Sequence, residues 1–172
     1  GYAFSSSGSL VAFNSNDSIV FENINQLLDK TSGVTSDLKI NYISYLWDCI
    51  DLMRDTLNYD VQFQTPQLWN DETFKNQIFI INQNNIYSHE SVSVEPGCVL
   101  DARKGPIILQ QNVLIQSGSI IKGPIFIDND SIISSGSKLN GNIIGPKCKI
   151  GGEVQNTIFH GYSNKVHDGF LG

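Results

Sequence analysis

Of the three histidines in this 172-residue chain, His167 stands where an imidazole could do chemistry. It lies in Gly161-Tyr162-Ser163-Asn164-Lys165-Val166-His167-Asp168-Gly169-Phe170-Leu171-Gly172, a run of glycine and polar residues with no apolar slot to bury the ring. An imidazole in such a place is exposed or lines a cleft. Because the group titrates near neutrality, it can take a proton from a reacting atom and return it at working pH. A second polar run, Gly151-Gly152-Glu153-Val154, precedes it. Glu153 reads there as a corner carboxylate, since paired glycines in such a setting serve backbone geometry. Asp168 adjoins His167, but neighbours on an extended chain point to opposite sides, so its carboxylate is not assigned to the ring. His89 and His160 lack partners at ligand spacing and read as surface or corner residues; no metal site is expected.

What would position His167 is a six-residue rhythm. Leu109, Ile115, Ile121, Ile127, Ile133 and Leu139 are spaced six apart, and two positions ahead of each sits Ile107, Val113, Ser119, Ile125, Ser131 or Ser137. Turn triplets such as Gln116-Ser117-Gly118, Asp128-Asn129-Asp130 and Ser134-Ser135-Gly136 fill the intervals. A helix would place apolar residues at three and four, and an ordinary strand would keep alternating through the triplets. A short strand, a corner and another short strand fit instead, giving the coil of a parallel β-helix with three hexads per turn of a triangular prism. Each aliphatic residue then points inward and stacks on its equivalent one coil away, at about 4.8 Å. Val94 and Leu100 extend the pattern upstream, with Ala102 to Gly105 looping out of a corner. Downstream, Ile144 follows Leu139 after five residues, Ile150 follows after six, and Cys148 takes the small-residue slot. The expectation is about ten rungs, a little over three coils.

Residues 1 to about 92 have another character. Ser9 to Phe13 and Ser18 to Phe21 read as a hairpin around Asn14-Ser15-Asn16-Asp17. Phe21, Ile24, Leu27 and Leu28 recur at helical spacing, ending near Lys30 to Gly33. A stronger helical stripe follows in Ile43, Leu46, Trp47, Ile50, Met53 and Leu57, with Asp48, Asp51, Arg54 and Asp55 on the other side, as expected of a helix packed on a neighbour. Gln62 to Thr73 reads as linker, with Pro66, Leu68 and Trp69 lying on the prism, and Gln77 to Ile81 as the strand leading into the first coil.

Composition narrows the function classes. A net charge of −6 with only 11 lysines and arginines argues against a nucleic-acid surface, where phosphate neutralisation needs clustered cations. Cys49, Cys98 and Cys148 are odd in number and in no metal-ligand spacing, which predicts reduced thiols in a cytoplasmic protein. The sequence has no run of eighteen apolar residues, so no membrane partner is expected.

From about Ile43 to Gly172 the chain resembles the hexapeptide-repeat sugar-phosphate transferases. It is most similar to the bifunctional sugar-1-phosphate nucleotidyltransferase/acetyltransferases typified by the N-acetylglucosamine-1-phosphate uridylyltransferases, in particular their Bacteroidetes-type relatives. The resemblance is carried by Leu46-Trp47-Asp48, the hexads, Ile150-Gly151-Gly152-Glu153-Val154 and Ser163 to Gly172. It implies a left-handed β-helix, although crossover sterics ordinarily favour the right hand, and a homotrimer. It also implies acetyl-CoA as co-substrate and an amino-sugar phosphate as acceptor. His167 matches the general base of that family. Lys165 approximately matches the cation that faces the sugar phosphate, two residues before the histidine where the reference pattern has three. Phe170 takes the place of a sugar-contacting tyrosine and lacks its hydroxyl, while Tyr162 and Asn164 lie close enough in sequence to contribute to substrate binding.

The resemblance further implies that residues 1–35 are the tail of a nucleotidyltransferase-like domain, 36–92 a helical linker and lead-in strand, and 93–172 the β-helix. A nucleotide-binding half, with any Mg²⁺, would then precede residue 1, and the Asn-Tyr-Asp-Gly loop and later coils that hold coenzyme A would follow Gly172. Two other function classes stand beside acetyl transfer. One is a purely structural, trimerising or regulatory tail on a thymidylyl-, uridylyl- or adenylyltransferase. The other is a non-enzymatic scaffold, since fold alone does not fix function.

Overall fold

A computed structural model describes residues 2–6, 9–14, 32–35, 41, 43–64 and 77–169. The chain divides into two compact units, residues 1–44 and 45–172. In the first, β1 (Tyr2–Ser6) pairs antiparallel with β2 (Ser9–Asn14) and parallel with β3 (Ser32–Thr35). Ser9–Asn14 is a strand, as expected of Ser9–Phe13, and its described partner is Tyr2–Ser6. Ser18–Phe21, the helical run Phe21–Leu28 and the linker residues Pro66, Leu68 and Trp69 lie outside the described residues.

The second unit is mainly β, a left-handed parallel β-helix of about five coils with one helix ahead of it. Its first face stacks Phe79–Ile81, Val99–Asp101, Ile120–Lys122, Lys138–Asn140 and Glu153–Gln155. The second stacks Ile86–Ser88, Ile107–Leu109, Ile125–Ile127, Asn142–Ile144 and Thr157–Phe159. On the third lie Ser93–Val94, Leu114–Ile115, Ile132–Ile133, Lys149–Ile150 and Asn164–Lys165. All neighbouring strands run parallel. The hexads thus build more coils than the sequence pattern predicts: Gln77 to Ile81 belongs to a full first coil rather than to a lead-in, and Glu153 to Lys165 makes a fifth.

The interior is a set of ladders. Val94, Ile115, Ile133 and Ile150 form one; Leu100, Ile121, Leu139 and Val154 another; Leu109, Ile127 and Ile144 a third; all are buried. Each such side chain contributes about 1.5–3 kcal/mol by leaving water. The corner slots want small residues because the chain turns inward there, and Cys98, Val113, Ser119, Ser131, Ser137 and Cys148 are all buried. Their hydroxyls are satisfied locally: Ser119 Oγ donates to Gln116 O at 2.7 Å, and Ser131 Oγ donates to Gly145 O at 2.9 Å while accepting from Cys148 N at 3.0 Å. All three cysteines are unpaired thiols, and burial pushes that of Cys98 up. Of the Ala102–Gly105 stretch only Arg103 and Lys104 are exposed; Ala102 is buried in the core and Gly105 is buried too.

Helix α1 (Asp48–Asp60) covers the second face. Strands such as Ile107-Ile108-Leu109 are apolar on both sides, which demands a cover. The outward Ile108 is buried against Met53 and Leu57, with Tyr87, Phe126, Ile143 and Ile158 packed around them. Asp48 and Asp51 in the first turn suit the positive end of the helix dipole, and Arg54 Nη1 donates to Lys104 O at 2.9 Å. The buried stripe is narrower than the expected one. The helix begins at Asp48, and Ile43, Leu46 and Trp47 are 61%, 88% and 61% exposed. No described helix is long and apolar enough to cross a membrane.

Candidate functional site

The prism is notched where its third face turns into its first. Between the third and first faces the chain turns through four residues in the first three coils: 95–98, 116–119 and 134–137. In the fourth coil only Gly151 and Gly152 separate Ile150 from Glu153. The turn of the third coil rests on the second, with Gly136 N donating to Ser117 O at 2.9 Å. Two residues are missing above it. The result is a notch of about 370 Å³ lined on one side by Ser134, Ser135 and Gly136, and on the other by Val166, His167 and Asp168. Gly151, Gly152 and Glu153 form its floor, with Lys138 at its side.

The floor tolerates only glycine. A Cβ on Gly151 would lie 2.3 Å from Val166 O, and one on Gly152 would lie 2.4 Å from Asp168 Oδ1, with Gly152 at φ +80°. The fifth coil therefore sits directly on the shortened turn. Glu153 N donates to Asp168 Oδ1 at 2.9 Å.

His167 is exposed at the rim, and its Nδ1 lies 2.8 Å from Asp168 O. A carbonyl oxygen only accepts, so Nδ1 carries the hydrogen of the neutral ring and Nε2 keeps the lone pair. The orienting group is thus the Asp168 backbone, not the Asp168 carboxylate. Glu153 accepts from Gln155 Nε2 at 3.0 Å, and Lys138, its register partner, is exposed.

The other expected site residues do not converge on the notch. Lys165, matched to a phosphate-facing cation, points into the prism and is 9% exposed, with its Nζ donating to Gly151 O at 2.9 Å and His167 O at 2.7 Å. Tyr162 stands 77% exposed at the corner between the second and third faces, its ring 5.8 Å from Lys147 Nζ. Asn164 is exposed on the third face, and neither it nor Tyr162 lines the notch. Phe170 lies outside the described residues. His160 is exposed at the Tyr162 corner, and His89 Nδ1 lies 2.7 Å from Ser91 Oγ. Among the described residues no group of histidine, cysteine, aspartate and glutamate is arranged to hold a metal ion.

Lys138 and the Ser134–Gly136 turn escape a reading of the sequence for site residues. Their signal is a spacing: Leu139 follows Ile133 after six residues, but Val154 follows Ile150 after four. Fold and site together define a class, a parallel β-helix covered on one face by a helix, with an oriented imidazole at the shortened corner between its third and first faces. No family model matches the chain, and no curated protein matches it at meaningful similarity.

Proposed function

We propose that this protein is the β-helical part of an acyltransferase, with His167 as general base for acetyl transfer from acetyl-CoA to an amine, in the manner of the sugar-phosphate transferases it resembles. The observation that carries the reading is the His167 Nδ1 to Asp168 O contact of 2.8 Å, which leaves a free Nε2 lone pair at the mouth of a notch. In the reaction the acceptor nitrogen attacks the thioester carbonyl. A C–N bond forms, the C–S bond breaks, Nε2 takes the proton from the nitrogen, and the thiolate leaves and is protonated. Lys138 supplies a cation beside the imidazole for an anionic group on the acceptor, which fits an amino-sugar phosphate.

A homotrimer belongs to the same reading. Val99, Ile120, Leu114 and Ile132 flank the notched edge and stay partly exposed, as a face for a second copy would. A purely structural role is the second reading, and the inward turn of Lys165 favours it, since that ammonium does not reach the notch. The two separate in one assay on the full-length protein: release of free coenzyme A from acetyl-CoA with amino-sugar phosphates, in wild type and His167→Gln. Acyl transfer predicts turnover that falls by about 10²–10⁴ in the variant. Equal rates in both proteins would leave the structural role.

A further inference from the structure

Lys165 occupies the inward slot that holds Val94, Ile115, Ile133 and Ile150 in the coils before it. An ammonium in an aliphatic column is costly unless its donors are met. Here it is met by two backbone carbonyls. One, Gly151 O at 2.9 Å, belongs to the shortened turn; the other, His167 O at 2.7 Å, belongs to the residue at the rim. The aliphatic stem stacks on Ile150 while the head reaches back toward the corner, as long cationic side chains do at the end of an apolar surface.

We infer that Lys165 is a positioning residue: from inside the prism it braces the His167–Asp168 peptide and thereby keeps the hydrogen of the imidazole on Nδ1. The peptide is clamped from two directions. Lys165 Nζ holds the His167 carbonyl from within, and Glu153 N holds the Asp168 carboxylate from the fourth coil at 2.9 Å. Between the clamps the Asp168 carbonyl stays where Nδ1 finds it. The ammonium touches no reacting atom. Its catalytic consequence rests on the reading of His167 as base, whereas the brace itself does not.

Lys165→Met separates brace from packing, because methionine fills the slot and stacks on Ile150 but donates nothing. In the ¹⁵N-labelled chain, long-range ¹H–¹⁵N spectra report the tautomer of each imidazole, with His167 assigned by its loss in His167→Gln. Wild type shows a protonated Nδ1 at His167, and Lys165→Met loses that pattern while its thermal transition persists. A second reading needs no variant: the Lys165 Nζ hydrogens exchange with water more slowly than those of the exposed Lys138. An unchanged His167 tautomer in Lys165→Met, or equal exchange at the two lysines, overturns the brace.

Kinetics keep the two proposals apart. With the brace, kcat in Lys165→Met falls by about tenfold at unchanged KM, a smaller loss than the about 10²–10⁴ for removing the base. A tautomer that shifts in a protein without acyl transfer supports the brace and rejects the acyltransferase reading. Turnover that depends on His167 but is indifferent to Lys165, with an unshifted tautomer, does the reverse.

Discussion

The second and third coils and the fourth and fifth are built from one repeat and differ in what interrupts it. Ile107 and Ile125 are register partners, so a turn takes 18 residues there; Ile125 to Asn142 takes 17 and Asn142 to Thr157 only 15. Through the longer coils every inward slot away from the corners is aliphatic. In the shorter ones asparagine follows Ile86, Ile107 and Ile125 in one column, and lysine follows Ile150 in another. Regular coils hold the prism together, and the shortened ones open it. Every group in the notch, from Lys138 to Asp168, gathers around the place where two residues are absent from a corner.

The largest expected effect tests whether the two kinds of corner differ in what they tolerate. A methyl added at Gly136 would stand in open space, so Gly136→Ala meets only the left-handed backbone at φ +70° and costs about 1 kcal/mol. Gly151→Ala drives a Cβ to 2.3 Å from Val166 O and costs about 3 kcal/mol by displacing the fifth coil. Urea unfolding of the two variants measures the gap. Equal losses would mean that the fifth coil does not bear on the shortened turn.

A smaller effect of opposite sign is expected inside the fourth coil. Asn142 is fully buried, its Nδ2 donates to Thr157 O at a long 3.5 Å, and its Oδ1 has no partner. Asn142→Val restores the aliphatic column and removes an unpaired buried acceptor, for a gain of about 1–2 kcal/mol. Thermal unfolding checks it. Destabilisation would show that the amide holds the column in register.

How much of this was legible follows the same division. From Leu109 to Leu139 the hexads are unbroken, and there the sequence pattern predicts prism, inward ladder and small corner slots as the structure has them. Elsewhere the spacing slips. Ile80, Ile86 and Val94 are six and eight apart, which hides the first coil, and Lys165 in an aliphatic slot hides the last. Nothing in a helical stripe distinguishes Leu46 and Trp47, which remain exposed, from Met53 and Leu57, which are buried, because the distinction depends on where the second face lies. His167 could be picked out as an exposed imidazole. The carbonyl that orients it could not, since the contact depends on a bend in the backbone rather than on a side chain.

The smallest effect concerns the regular part. Arg103 Nε and Nη2 donate to the Asp101 carboxylate at 2.9 and 2.7 Å, and this fork holds the carboxyl down to about 2. A folded-state value below the unfolded one means that the contribution is present above the unfolded carboxylate range and is lost as pH falls toward 2. Acid titration of stability should therefore show a shallow loss below the ordinary carboxylate range. In Arg103→Ala that loss shrinks, and added salt shrinks it too because the pair is solvent-facing. An identical acid profile in wild type and variant would remove the pair from the account.

Restoring the missing residues tests most directly whether the shortened corner makes the site. Inserting two serines between Gly151 and Gly152 gives the fourth coil a four-residue turn like Ser134–Ser137 and fills the notch. With folding verified by its thermal transition, the variant is exposed to diethyl pyrocarbonate and modification of each histidine is followed by mass spectrometry. The expected result is slowed modification of His167 while His89 and His160 react as in wild type. Unchanged reactivity of His167 would contradict the claim that the two-residue turn creates its cleft.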